Sequence, residues 1–326
     1  MLLQLRQMTR TPIWRQPRHL ALIFFVFILV AFALTHNSYR KLTPHHRVKP
    51  ATVENTSLIP RNIWQIFLPP IIPEAVYDID PEALVDTPSW LAKNPDYTYI
   101  LVGSEGGDQF VNEYFAHDQN ILQTYNRIRN PGLKSDLLRY LILSVKGGTY
   151  TDIDTLAIKP IDEWVPKHIR HLVRLIVGLE FDRLDGLQWA DIPHDLQFCQ
   201  WTIAAAPGHP VFTSMANWAV NSINKLVKTY NGTLETLKPS SFEVMTSTGP
   251  AAWTDVVFQH LQQAEPELTA LTNLSGMTEP RLYGDILVMP IDAFGMGQDH
   301  SHSTNDGSIP DAALLKHNFR GSWRDH

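Results

Sequence analysis

Gly147-Gly148-Thr149-Tyr150-Thr151-Asp152-Ile153-Asp154-Thr155 joins a glycine pair, a short β-like run and two aspartates one residue apart. Side chains alternate faces along a strand, so carboxylates at i and i+2 on a strand share one face while Ile153 turns toward the core. Two carboxylates in one small volume raise each other's pKa unless a divalent cation such as Mg2+ or Mn2+ takes both. The three-residue pattern alone is weak. An Asp-x-Asp at a strand end is commonly solvated turn chemistry, so its meaning depends on what surrounds it.

Just upstream, Leu137, Leu138, Leu141, Ile142 and Val145 fall at helical spacing within 135–146, with Ser135 as the expected N-cap. Gly147-Gly148 ends that helix and leads into the aspartate strand. Further out, apolar runs alternate with helical patterns. Strands are expected at 58–67, 97–102, 173–180 and 284–290, and helices at 108–116, from His209-Pro210 onward, and at 253–263. The stripe Val211, Met215, Trp218, Ala219, Ile223 and Leu226 reads as core. This alternation gives an α/β fold with ligands at the carboxyl ends of its strands.

The chain has 326 residues, 44% of them hydrophobic, enough for one large core. A formal charge of −6 argues against a nucleic-acid partner. Cys199 is the sole cysteine, so an intramolecular disulfide is impossible.

Residues 20–34 form an uncharged apolar run behind Arg6, Arg10, Arg15 and Arg18. Basic flanks stay cytoplasmic, which predicts a type II signal anchor: cytoplasmic tail 1–19, membrane span 20–34, polar stem 35–57, and a lumenal domain 58–326. A cleaved signal peptide is the alternative, with Ala31-Phe32-Ala33 as its cleavage site. The short span suits an early-secretory membrane, and the Golgi is the expected address. Sequons at Asn55, Asn231 and Asn273 fit a lumenal domain.

The run Asn130-Pro131-Gly132-Leu133-Lys134-Ser135-Asp136-Leu137-Leu138-Arg139-Tyr140, followed by the glycine pair and Thr151-Asp152-Ile153-Asp154-Thr155, resembles glycosyltransferase family 32. Leu196–Ile203, Pro207-Gly208-His209-Pro210, Thr248-Gly249-Pro250 and His317–Trp323 narrow the likeness to the initiation-specific α-1,6-mannosyltransferases of the fungal Golgi. The resemblance spans residues 58–326. It implies a GT-A type nucleotide-sugar-binding fold, a Rossmann-like mixed sheet flanked by helices, using GDP-mannose and Mn2+. It further implies an oligomannose N-glycan acceptor and retention at the anomeric carbon.

Carried onto this sequence, the resemblance gives Asp152, Asp154 and His317 to the metal and Asp136 and Arg139 to the donor. Trp64, Phe67, Gly148 and Tyr150 complete the donor side, and Phe67 stands where many family members carry tryptophan. Glu180, Asp182, Gln200 and Trp201 are assigned to the acceptor. Bland readings stay open beside these: an intrahelical ion pair for Asp136 and Arg139, a hydrogen-bonded structural histidine for His317, and solvated turn acids for Glu180 and Asp182. Three rival functions are also open. They are a metal-dependent phosphohydrolase, a non-catalytic subunit of a mannan polymerase or other mannosyltransferase complex, and a family member acting on an inositol-phosphate lipid. A two-metal hydrolase would need more ligands than this motif supplies locally.

Overall fold

The computed structural model describes residues 57–68, 81–189 and 191–320. The expected cytoplasmic tail, membrane span and nearly all of the stem lie outside these residues, as does Trp323. Among the described residues no helix is long and apolar enough to cross a membrane.

The elements in order are β1 (Asn62–Ile66), a 3-10 turn (Pro81–Leu84), α1 (Thr87–Lys93), β2 (Thr98–Val102), α2 (Ser104–Tyr114), α3 (Gln119–Arg127) and α4 (Pro131–Lys146). Next come β3 (Gly148–Thr151), β4 (Thr155–Ala157), β5 (Leu175–Asp182), β6 (Leu196–Phe198), β7 (Thr202–Ala205), α5 (Pro210–Thr229), α6 (Ser241–Ser247) and α7 (Pro250–Ala264). The last are β8 (Arg281–Tyr283), β9 (Ile286–Met289), α8 (Ile291–Gly295) and β10 (Leu315–His317). The main sheet has the order β2-β1-β3-β7-β5-β9-β8, with β6 pairing off β5. β1 runs parallel to both β2 and β3, β7 runs antiparallel to both β3 and β5, and β5 and β9 are parallel. The alternating patterns predicted an α/β fold, and the mixed sheet flanked by helices is the one the family resemblance implied.

Both faces of the sheet are covered, which explains why its strands read as continuous apolar runs. Leu175 and Val177 of β5, Ile203 of β7 and Val288 of β9 pack into one cluster with α4, α5 and α7. Their strand neighbours Ile176, Ala204 and Leu287 join Ile63, Trp90 and Phe294 on the other side. Of the expected α5 stripe, Val211, Met215, Ala219 and Ile223 are buried, with Trp218 and Leu226 packed at the margin. Asn231 and Asn273 are both exposed.

Three local expectations change. The helix expected from Ser135 begins at Pro131, because the Asn130 side chain accepts from the Leu133 N–H at 2.9 Å and proline suits the first helical position. Ser135 lies inside the helix. The aspartates do not sit on a strand: β3 ends at Thr151, and Asp152 to Asp154 form the turn between β3 and β4. Ile153 is accordingly half-buried rather than turned into the core. Finally, β9 is not the last strand, since β10 returns to pair antiparallel with β4, setting His317 opposite Thr155.

The glycine pair has a backbone reason at Gly148. Its φ is +94°, and a Cβ there would lie 2.8 Å from the Asn62 carbonyl oxygen and 3.0 Å from the Trp64 indole nitrogen. Gly148→Ala is expected to cost about 1–3 kcal/mol through backbone strain and overpacking. Denaturant unfolding measures this, and a loss within about 0.5 kcal/mol would show that β1 and β3 can separate freely.

Candidate active site

The turn that carries the two aspartates is fixed by its backbone before its side chains act. The Asp152 N–H donates to the Trp201 carbonyl at 2.8 Å, which ties the turn to the start of β7. The Asp152 carbonyl accepts from Gln65 Nε2 at 3.0 Å and Thr155 Oγ1 at 2.6 Å. Gln65 is fully buried in β1, and its Oε1 accepts from Thr87 at 2.8 Å and Tyr99 at 2.7 Å. A buried amide satisfied at both ends holds one geometry.

Behind the turn, α4 delivers a charged column into the interior. Arg139 Nη2 lies 2.9 Å from Asp136 Oδ1, with both side chains under 10% exposed. Arg139 Nη1 reaches Asp152 Oδ1 at 3.3 Å and the Gln200 carbonyl at 3.3 Å. Its guanidinium stacks 4.6 Å from the Tyr150 ring centre, and the Tyr150 hydroxyl donates to Asp152 Oδ1 at 2.5 Å. On its far side Asp136 Oδ2 accepts from Thr248 Oγ1 at 2.7 Å. Gln200 Nε2 donates to the Thr248 carbonyl at 2.9 Å and also to Tyr140. The ion pair between Asp136 and Arg139 is thus present, and through Arg139 it also reaches the aspartate turn.

In front of the turn lies the returning tail. His317 Nε2 is 3.1 Å from Asp154 Oδ1, and the Arg320 N–H donates to Asp154 Oδ2 at 2.9 Å. Asp86, just ahead of α1, anchors this tail: its Oδ2 accepts from Asn318 Nδ2 at 2.9 Å and pairs with Arg320 Nη2 at 2.8 Å. One ligand atom each from Asp152, Asp154 and His317 lies within 4.8 Å of the others. Two carboxylates and an imidazole suit a divalent cation such as Mn2+. Burial leaves His317 Nδ1 without a hydrogen-bond partner among the described residues, so Nε2, facing Asp154, is the nitrogen placed to ligate.

The two aspartates are set apart electrostatically. Burial pushes Asp152 above the usual carboxylate range, and the neighbouring Arg139 only partly offsets it. Burial acts the same way on Asp154, but the His317 contact and the Arg320 N–H outweigh it and hold that carboxyl below the usual range. Asp136 is raised by burial despite Arg139. Arg139 is held charged: Tyr150, Asp152 and Asp136 together overcome the opposing effect of burial.

The other expected residues divide into two groups. Trp201 is at the site, its ring stacked on His317 at 4.7 Å and 11°, with its buried indole N–H lacking an acceptor among the described residues. Trp64 braces the opposite end of β3, donating its indole N–H to the Gly147 carbonyl at 2.8 Å. Phe67 is half-buried just past β1, its N–H bonded to the Val102 carbonyl at 3.0 Å. Glu180 and Asp182 are buried on β5. Glu180 accepts from Gln197 Nε2 at 3.4 Å, and Asp182 accepts from the N–H groups of Leu184 at 3.3 Å and Gly276 at 2.7 Å. Gln65, Asp86, Tyr140, Thr248 and Arg320 carry no local sequence signal, because each acts through a contact distant along the chain.

Residues 84–170 match the family described as glycosyltransferase sugar-binding region containing DXD motif. The initiation-specific alpha-1,6-mannosyltransferase of Schizosaccharomyces pombe is 37% identical over 280 residues, covering 82% of this chain and 64% of that protein. The Candida albicans protein of the same description is 32% identical over 291 residues, covering 82% of this chain and 72% of its own length. The chain therefore spans about two thirds of the length of these relatives. Among solved structures, the PaToxG glycosyltransferase aligns at a TM-score of 0.44 and 19% identity, covering 64% of this chain and 73% of that one. On the sequence likeness, this chain belongs to the DXD-motif glycosyltransferase family that includes the initiation-specific alpha-1,6-mannosyltransferases.

Proposed function

We propose that the protein transfers mannose from GDP-mannose to an oligomannose N-glycan in α-1,6 linkage, with retention, in the Golgi and with Mn2+ as cofactor. The observation that carries this reading is the group formed by Asp152, Asp154 and His317, backed by the buried Arg139, in a chain whose relatives are described as mannosyltransferases.

A divalent cation bound there would neutralise the charge that grows on a departing diphosphate. The chain's own residues supply the rest. Tyr150 and Arg139 fix Asp152 Oδ1, and the tail fixes Asp154 Oδ2, so both carboxylates are held in position before substrate arrives. Asp182 is a poor nucleophile, since both of its oxygens already accept from backbone N–H groups. This favours front-face transfer: the bond from the anomeric carbon to phosphate oxygen breaks, the bond to the acceptor oxygen forms, and the acceptor's proton passes to the departing phosphate. A covalent mannosyl adduct trapped on Glu180 or Asp182 would sink that route.

The decisive assay incubates purified protein with Mn2+, nucleotide sugars and mannose-containing acceptors, then maps the product linkage. GDP-mannose turnover giving an α-1,6-mannosyl product on oligomannose, abolished by chelator, is expected. Preference for a UDP-sugar overturns the donor assignment. Binding of GDP and Mn2+ without transfer to any acceptor points instead to a non-catalytic partner.

A further inference from the structure

The exposed aromatic surface beside the tail is not used by the chemistry above. Trp189, in the segment between β5 and β6, is 47% exposed, and Phe319 in the tail is 43% exposed. His300 lies between them, its ring centre 5.1 Å from Trp189 and 6.4 Å from Phe319, with Phe181 of β5 stacked behind it at 6.2 Å. Scattered exposed apolar rings are ordinary, but rings drawn from three distant segments into one patch mark a binding surface.

The backbone gives a second, independent observation. Leu184, His302 and Phe319 all have positive φ, at +46°, +54° and +47°, and they lie one in each of the three segments that build the patch. Side chains this large seldom adopt that conformation, which persists where surrounding structure enforces it and clusters at ligand clamps. The segments are also in contact: a Cβ on Gly186 would lie 2.5 Å from His302 Nε2.

The patch runs outward from the reacting centre. Phe319 is 3.9 Å from His317 and 5.3 Å from Trp201, ring centre to ring centre, so one end of the aromatic series touches the metal-type histidine. The charged groups flanking Trp189 and His300 in sequence include Asp185, Asp191 and Asp299, all exposed, while the nearby basic groups are already paired, Arg183 with Asp195 and Arg320 with Asp86, each at 2.8 Å. Such a rim disfavours an anionic membrane surface. It suits a neutral, hydroxyl-rich ligand, whose hydroxyls donate to carboxylates while its flat C–H faces lie on aromatic rings.

We propose that Trp189, His300 and Phe319 form a saccharide subsite that holds the part of the acceptor glycan beyond the mannose receiving the new bond. The proposal rests on the glycosyltransferase reading and deepens it by assigning recognition of acceptor length. It is tested with the full-length chain by comparing Trp189→Ala and Trp189→Tyr with wild type. The measurements are KM for mannose monosaccharide and for a branched oligomannose, KM for GDP-mannose, and donor hydrolysis without acceptor. Oligomannose binding is also read directly from ligand-detected NMR.

Trp189→Ala is expected to weaken oligomannose binding and raise its KM by roughly three- to ten-fold. The monosaccharide KM, the donor KM and donor hydrolysis should stay within two-fold, and tyrosine should restore most of the loss. Unchanged oligomannose binding in Trp189→Ala overturns the proposal, as does an equal rise in the monosaccharide KM. Wild-type protein that hydrolyses donor but shows no preference for oligomannose over mannose overturns it too, while leaving the transferase reading intact. Association of wild-type protein with phosphatidylserine vesicles, lost in Trp189→Ala, would replace the saccharide by a lipid surface and equally overturn it.

Discussion

Asp152→Ala is expected to lower mannose transfer by about 10²- to 10³-fold or more, because it removes one of two carboxylates from the metal group and unseats the atom that Arg139 and Tyr150 hold. Asp152→Asn keeps the shape and should fail almost as badly, since the lost property is charge. Neither change should harm the fold. Burial holds the Asp152 carboxyl above its usual range, so in the metal-free protein its ionised form opposes folding. Asp152→Asn is therefore expected to keep stability within about 1 kcal/mol of wild type, a figure that thermal unfolding checks alongside the rate.

The same groups give metal binding a pH dependence of definite sign. A carboxyl raised on folding holds its proton more tightly in the folded chain than in the unfolded one. Its destabilising effect therefore appears as pH climbs past the unfolded value and is complete above the folded one. Asp154 is lowered on folding, so it stabilises above the unfolded value, and that contribution disappears as pH falls through the folded value. Acidification thus protonates Asp152 before Asp154, and Mn2+ affinity should fall with decreasing pH while proton release on binding rises. Calorimetry in buffers of different ionisation enthalpy measures both. An affinity that does not fall as Asp152 takes up its proton would remove it from the ligand set.

The second large effect lies in the charged column of α4. Arg139→Met removes the cationic partner of a buried carboxylate and leaves Asp136 with only the neutral side chains of Thr248 and Gln200, while Asp152 keeps Tyr150. Breaking a buried pair from one side costs about 3–5 kcal/mol, which for a domain of this size is a Tm drop of about 10 °C. Replacing both partners, Asp136→Leu with Arg139→Met, should recover much of that stability while activity stays lost. The contrast separates a structural ion pair from one retained for the site. A single substitution that costs less than about 1 kcal/mol would mean that water reaches Asp136.

What could be read along the chain was whatever is local. The aspartate pair, the glycines and the helix carrying Asp136 and Arg139 lie within 131–154, and helical spacing alone brings Asp136 to Arg139. The α5 stripe followed from helical periodicity for the same reason. Pattern misled at the aspartates themselves, where the strand stops at Thr151, so their convergence comes from a turn clamped by Gln65, Thr155 and Trp201 rather than from pleat alternation. Gln65 and Thr248 are ordinary polar residues in sequence and become decisive only once the sheet buries one and α4 meets the other. Asp86 and Arg320 are harder still, since an ion pair across most of the domain leaves no local trace.

The antiparallel return of β10 against β4 also sets a schedule. His317 meets Asp154 from 163 residues further along the chain. At about 5–20 residues per second of synthesis, roughly 10–30 s separate the emergence of the aspartates from that of their histidine. Throughout that interval the nascent domain holds two carboxylates with neither the histidine nor the strap. Any polypeptide released before Leu315 would keep most of the sheet but be born without His317 beside the aspartates.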